Sequence, residues 1–528
     1  MNASSVRERV TIVLVTVIAA VVAVLAWRSL SWPLGANVAV QHYIAWLIGQ
    51  GYVPYRDIFD PNVPGVWLIH GVALAVVGSS DVAWRGWDLG WLAVTAITLY
   101  RYCRPLASRW SAFAVALLFA LYHLTGGERH AGERDYFASL PLLLGALATA
   151  SWCERDRGGG IAAVAGGLAL GLAATIKPMT VLFGAGCVVA AAVGARARGR
   201  RIAGPVALLA GMAVAPLLLA GWLAWQGGLS AFVTILTEYT MPIFSATGRN
   251  RMWRFLKPYW LTLGVTVVVA LALGAPRDRR LRFRLAVFGL AYGVVHVVLQ
   301  FKGTWYHFHP FALFMCAVAA PALAPAAGDR ARWRAAPAFA RAAAERVLWP
   351  GTVRVPLAIT LVAATAVFMV TRDRHVFAAD PVAQERAQRV VAVTRDLARL
   401  VRGRDRVQNL DVVEGGGVLA LLREQLYPAN RFINDEPLFQ ATQDPRIQRL
   451  RAEFIASLRA RPPAAVVVFP RRWRREGYRR LDGFPELGDL LAERYTLVVD
   501  RHDYKIYART EATRSSDPAS HEARPRAG

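Results

Sequence analysis

The chain has 528 residues, 55% of them hydrophobic and only 19% charged, so much of it must sit in a bilayer, and a soluble enzyme or a disordered scaffold is excluded. Lys and Arg number 62 against 36 Asp and Glu, a formal charge of +26. In a soluble protein that excess points to nucleic acid, but here the placement of the charges along the chain gives another explanation, and no nucleic-acid partner is expected.

Arg7 and Arg9 precede an apolar stretch of about 20 residues, long enough to span and without a clear cleavage site, which reads as a signal anchor. Further spans are expected near 86–102, 110–125, 136–152, 161–176, 179–195, 203–225, 258–274, 284–300, 308–325 and 355–371, about eleven helices with the first. Arginines crowd every second connection: Arg101, Arg104 and Arg109; Arg155 and Arg157; Arg196 to Arg201; Arg277 to Arg284; Arg330 to Arg354. The positive-inside rule makes these cytoplasmic, with the N-terminus inside and everything after residue 372 outside. The net charge is then a topology signal. Cys103, Cys153, Cys187 and Cys316 lie in or beside apolar segments, where disulfides are not expected.

The first external loop carries two short apolar stretches, Val38–Ile48 and Gly65–Gly78, suited to helices lying at the interface. Between them runs a polar elbow stiffened by Pro54, Pro61 and Pro64. Beyond the last span, 373–509 reads as a small extracytoplasmic α/β domain. It has amphipathic helices at 380–402 and 446–461, β-rich runs at 407–413 and 464–469, and a terminal hairpin at 495–500 and 505–508. Residues 510–528 read as a disordered tail. The fold class is an α-helical polytopic membrane protein, domain 1–372, followed by that α/β domain.

Ionisable groups at a membrane boundary are costly to bury and so are candidates for chemistry. Four clusters lie at external junctions: Arg56, Asp57 and Asp60 in the elbow; Glu128 to His130 with Glu133, Arg134 and Asp135; Lys177; and Lys302, Trp305, Tyr306, His307 and His309. Each has a plain reading. Asp57 and Arg56 suit a loop cap and a snorkelling arginine, Glu133-Arg134-Asp135 a knot of ion pairs at a helix start, and Trp305 and Tyr306 an aromatic belt. His307 and His309 are a weak metal pair at that spacing, and His42, His70, His123 and His296 have no supporting spacing. Together, acids on two junctions and cations on two others suit transfer from an anionic lipid donor. A carboxylate takes the acceptor proton, and cations hold the departing phosphate.

At these residues the sequence resembles the GT-C superfamily of polytopic glycosyltransferases, which includes protein O-mannosyltransferases and lipid A aminoarabinose transferases. Gly51-Tyr52-Val53-Pro54-Tyr55-Arg56-Asp57-Ile58-Phe59-Asp60 is similar to an elbow of bacterial members. Gly132-Glu133-Arg134-Asp135 is similar to the arginine and acid pair at their third-to-fourth helix junction, and Gln300-Phe301-Lys302-Gly303-Thr304-Trp305-Tyr306-His307 to a later loop. The resemblance implies an inverting transferase in the bacterial cytoplasmic (inner) membrane that uses a polyprenyl-phosphate sugar and a lipid, polysaccharide or protein acceptor. Asp60 or Asp57 would be the base and Asp135 or Glu133 the second acid. Arg134, Lys302, His307 and Arg56 would hold the donor phosphate, with Trp305 or Tyr306 stacking on sugar or prenyl. A divalent metal, Mg or Mn, is compatible with this and not required by it. Many relatives carry an acidic pair where this chain has Asn37-Val38, so either an elbow acid takes the base role or the chain binds lipid-linked sugar without transferring it. A transporter or flippase is the rival class, as is a non-catalytic binding subunit.

Overall fold

The structure is a computed structural model that describes residues 3–154, 160–199, 202–246, 280–300, 304–323, 380–403, 405–411, 413–470 and 477–510. The chain divides into two compact units, one of Met1–Trp32, Val63–Trp222 and Thr247–Ala379, the other of Pro33–Asn62, Leu223–Ala246 and Asp380–Gly528. The expected spans at 258–274 and 355–371 and the tail beyond residue 510 lie outside the described residues.

The first unit is helical: α1 (Ala3–Ser29), then, after α2 (Ala36–Gly49) of the other unit, α3 (Gly65–Val77), α4 (Asp81–Cys103), α5 (Arg109–Thr125), α6 (Arg134–Glu154), α7 (Gly160–Ile176), α8 (Val181–Ala197) and α9 (Ala203–Trp225). After α10 (Leu229–Thr234), again of the other unit, come α11 (Arg280–Gln300) and α12 (His309–Leu323). Among the described residues, five helices are long and apolar enough to cross a membrane: Ile12–Ser29, Arg134–Glu154, Pro178–Ala197, Ala203–Trp225 and Leu281–Gln300. The α3 and α4 pair meets the same test together but bends by 117° at its break. Gly78, at φ 87°, ends α3, and Ser80 caps α4 by accepting from the Ala83 N–H at 3.2 Å. Hence the apolar stretch after residue 65 forms a separate short helix, as its length predicts.

Small residues let these helices approach closely, the usual solution where lipid supplies no hydrophobic drive between helices. A Cβ on Gly167 would lie 2.2 Å from the Leu208 carbonyl oxygen, and one on Gly171 2.4 Å from that of Met212, so α7 and α9 pack backbone to backbone. Consecutive helices run antiparallel where their connections are short. The junctions 126–133 and 177–180 and the turn at 304–308 therefore gather at one end, together with the start of α4. At the opposite end Arg282 of α11 donates to Glu154 of α6 at 2.6 and 2.9 Å, and Tyr102 donates to the Arg282 carbonyl at 2.6 Å.

In the second unit, Asp380 and Asp444 cap α13 (Pro381–Leu400) and α15 (Pro445–Ala460), each accepting a backbone N–H at 2.9 Å, with proline in the first turn. Between them lies α14 (Gly417–Arg423), and α16 (Pro485–Arg494) follows. The strands β1 (Arg406–Leu410), β2 (Tyr427–Pro428), β3 (Ala465–Val468), β4 (Tyr495–Asp500) and β5 (Lys505–Arg509) form one sheet of order β2-β1-β3-β5-β4. β1 is parallel to β2 and β3, with Val407 opposite Ala465, and β5 is antiparallel to β3 and β4. β3, an Ala-Val-Val-Val run at the centre of this mixed sheet, is buried throughout, as a strand covered on both faces should be. Arg480 ties β1 to β3, donating to the carbonyls of Leu410 at 2.9 Å and Phe469 at 2.8 Å while paired with Asp435.

The elbow belongs to this second unit. The Phe59 N–H donates to the Arg431 carbonyl at 2.7 Å, and the Phe59 ring meets those of Phe432 and Tyr239 at 5.3 and 5.2 Å. Tyr55 holds φ 67°, and its hydroxyl donates to the Asn62 carbonyl at 2.6 Å.

Candidate active site

The gathered junctions of the helical unit enclose two buried carboxylates. Asp135, in the first turn of α6, is 0% exposed. Its oxygens accept from Lys177 Nζ at 3.1 Å, His296 Nε2 at 2.5 Å, His307 Nδ1 at 3.1 Å and Gln300 Nε2 at 3.4 Å. These donors come from the α7–α8 junction, the end of α11 and the turn before α12. Tyr292 lies one helical turn before His296, and its hydroxyl meets His296 Nδ1 at 3.0 Å. That contact leaves Nε2 as the donor to Asp135. An ionised carboxylate only accepts, so His307 carries its proton on Nδ1. Its other ring nitrogen, Nε2, is buried with no hydrogen-bond partner among the described residues.

Asp88 on α4 is the second carboxylate, also 0% exposed. It pairs with Arg85 one turn earlier and accepts from His123 Nε2 at 3.1 Å and the Gly132 N–H at 2.7 Å. Gly132 sits at φ 72°, where a side chain would strain the backbone that aims this N–H. His123 Nδ1 meets His309 Nε2 at 3.3 Å, and His309 Nδ1 donates to the Tyr306 carbonyl at 2.8 Å. Arg85 also donates to Ser29 Oγ at 2.8 Å and covers the Trp32 ring at 4.5 Å.

The charge on Lys177 is held against burial. Burial is the largest influence and lowers its pKa, the Asp135 carboxylate opposes it, and the Arg134 charge adds to the lowering, for a value of about 8. His307, pushed down to about 3 by burial despite Asp135, is a neutral imidazole near pH 7.

Of the residues singled out from sequence, Asp135 and His307 are in direct contact, and Tyr306 lies against the His307 ring with centroids 4.5 Å apart. Glu133 and Arg134 adjoin Asp135, and both bear electrostatically on Lys177. Arg56, Asp57 and Asp60 belong to the other unit. Asp57 accepts from Arg56 Nε at 3.0 Å, Arg56 Nη2 at 2.8 Å and the Val53 N–H at 2.9 Å. These bonds outweigh its partial burial and hold its pKa below the usual range. Asp60 is buried and accepts from the Asn62 N–H at 2.8 Å. Lys302 and the Trp305 side chain lie outside the described residues. Sequence reasoning missed Asp88, Arg85, His123, His296 and the role of His309. Their partners lie up to 186 positions away along the chain, so no local spacing marks them. The one usable signal was chemical, an Arg and an Asp three residues apart in a largely apolar helix. Among the described residues no three His, Cys, Asp or Glu side chains converge in a way that fits a metal ion.

With the helices gathered around buried ion pairs at one end, the comparisons with known proteins give a likeness over part of the sequence and in the fold. Residues 60–225 match a family model described as dolichyl-phosphate-mannose-protein mannosyltransferase. The structure is similar to that of ArnT from Cupriavidus metallidurans bound to undecaprenyl phosphate, with a TM-score of 0.55 at 14% identity over 94% of this chain and 97% of that one. It is also similar to the apo state of the same protein, with a TM-score of 0.53 at 16% identity and the same coverage. At this identity the likeness is one of fold. No curated protein matches the sequence.

Proposed function

We propose that the chain is an inverting glycosyltransferase that moves a sugar from a polyprenyl-phosphate donor to an acceptor at the outer face of the cytoplasmic membrane. The observation that carries this is the buried cluster on Asp135, which holds a cation, Lys177, and a neutral imidazole, His307, beside Arg134 and Glu133. An ammonium has three N–H groups and the bond to Asp135 uses one, so Lys177 has donors for a phosphate oxygen. With Arg134 and Lys302 it would offset the charge that develops on the leaving phosphate. Tyr306 and Trp305 would flank the sugar or prenyl chain. The fold likeness to a structure with bound undecaprenyl phosphate supports the donor class. The acceptor proton goes to one of the acids expected from sequence, Asp60, Asp57, Asp135 or Glu133, or to a base that one of them holds. In this reading the arginine-rich junctions face the cytoplasm, the sheet domain lies outside, and the acceptor is a lipid, a polysaccharide or a protein.

The test compares lipid extracts of cells lacking the protein with extracts of cells restored with wild type, Asp135→Asn or the Asp57→Asn/Asp60→Asn double variant. A polyprenyl-phosphate sugar that accumulates in the null and in the Asp135→Asn strain, and disappears with wild type, is the expected result. An unchanged lipid pool in the null strain would sink the reading.

A further inference from the structure

A buried acceptor without a partner costs about 1–3 kcal/mol and calls for an explanation. Among the described residues His307 Nε2 is such an atom, in a ring that is only 2% exposed, and the opposite nitrogen fixes its chemistry. Because Nδ1 donates to Asp135, Nε2 presents a lone pair. A lone pair repels a phosphate oxygen, which has no proton to give in a diester. It suits a hydroxyl. His296 shows the contrast on the same carboxylate, since its second nitrogen is already met by the Tyr292 hydroxyl.

We propose that His307, oriented by Asp135, is the catalytic base of the transfer and not a ligand of the donor phosphate. Its Nε2 takes the proton of the acceptor hydroxyl as that oxygen bonds to the anomeric carbon. The bond from that carbon to the phosphate oxygen breaks, its electron pair leaving with polyprenyl phosphate. The imidazolium that forms is paired with Asp135 at 3.1 Å, the same division of labour by which a carboxylate steadies a histidine base elsewhere. A weak base suffices, because a hydroxyl becomes strongly acidic as it bonds to the sugar. Asp135, Lys177, His296 and the Tyr306 ring are the groups that face the imidazole. This inference rests on the glycosyl-transfer reading.

The test uses the full chain in lipid nanodiscs, a panel of synthetic undecaprenyl-phosphate sugars, and an extract of the native envelope as acceptor, with release of undecaprenyl phosphate as the readout. H307N keeps an amide N–H near the Nδ1 position but has nothing at Nε2. Its single-turnover rate is expected to fall about 10²–10⁴-fold, with the affinity for undecaprenyl phosphate within threefold of wild type and the thermal midpoint unchanged. In H307A, added imidazoles are expected to restore rate in proportion to their basicity. A rate for H307N within threefold of wild type overturns the base assignment alone. So does a loss of undecaprenyl phosphate affinity that matches the loss of rate, which would return His307 to the phosphate. If wild type itself releases nothing from any donor of the panel, glycosyl transfer falls and the base assignment falls with it.

Discussion

Asp135 and Asp88 are both fully buried in the same helical unit and both ringed by histidine and a cation, yet their networks end differently. The chain from Asp88 runs through His123 to His309 and stops on the Tyr306 carbonyl; because His123 Nε2 donates to Asp88 and His309 Nδ1 to that carbonyl, the 3.3 Å contact between their other nitrogens is a hydrogen bond only when one ring carries a second proton. The network of Asp135 closes on one side, through His296 and Tyr292, and among the described residues stays open on the other at His307 Nε2. A chain that ends on a backbone carbonyl is anchored to the fold, whereas one that ends on a lone pair has a bond left to make. Burial and charge alone would not separate the two carboxylates; what separates them is the kind of atom each leaves without a partner among the described residues, a donor on Arg85 Nη2 beside Asp88 and an acceptor on His307 Nε2 beside Asp135.

The contrast is testable. Asp135→Asn is expected to lower transfer about 10²–10⁴-fold while the protein still accumulates in the membrane, as measured by turnover and by immunoblot of membrane fractions. Asp88→Ala strands Arg85 without its carboxylate and is expected to cost about 3–5 kcal/mol of stability, seen as a lower thermal midpoint in detergent. Exchange of these two phenotypes would break the distinction.

Lys177 sharpens it with pH. With a folded pKa of about 8 against 10.5, the ammonium loses its proton as pH rises through 8. Undecaprenyl phosphate affinity is expected to fall about tenfold per pH unit above that point in a binding titration. Lys177→Arg stays charged and should remove the fall. Stability moves the other way. Between pH 8 and 10.5 the unfolded chain binds more protons at this site than the folded one does, so the Lys177 contribution makes stability rise with pH across that window. The smallest effect belongs to the elbow. Asp57→Asn weakens a half-exposed ion pair with Arg56, worth under about 1 kcal/mol. Loss of transfer with an intact fold in that variant would instead make Asp57 the base.

Much of this was legible in the sequence. Apolar length set most of the helices, and the Asp-Pro starts at 380 and 444 marked two helices of the sheet unit. The clusters around Asp135, Lys177 and His307 stood out because they sit at alternate junctions, and antiparallel packing brings alternate junctions to one end. The Asp88 network was hidden for the same physical reason that it holds the fold, because its members lie inside apolar helices and answer one another across the bundle. The grouping of 33–62 and 223–246 with the sheet unit was equally hidden. It depends on contacts such as Phe59 with Phe432, which leave no mark on local composition.

The Tyr306-His307-Phe308-His309 turn sends one histidine to the Asp135 carboxylate and the other to His123, the ring that holds Asp88. Its length is therefore under tighter constraint than its composition. A residue inserted or deleted between the two histidines would put both rings out of step with partners fixed on other helices, disarming the reaction and loosening the bundle in a single event. The spacing of one residue between the histidines could not drift.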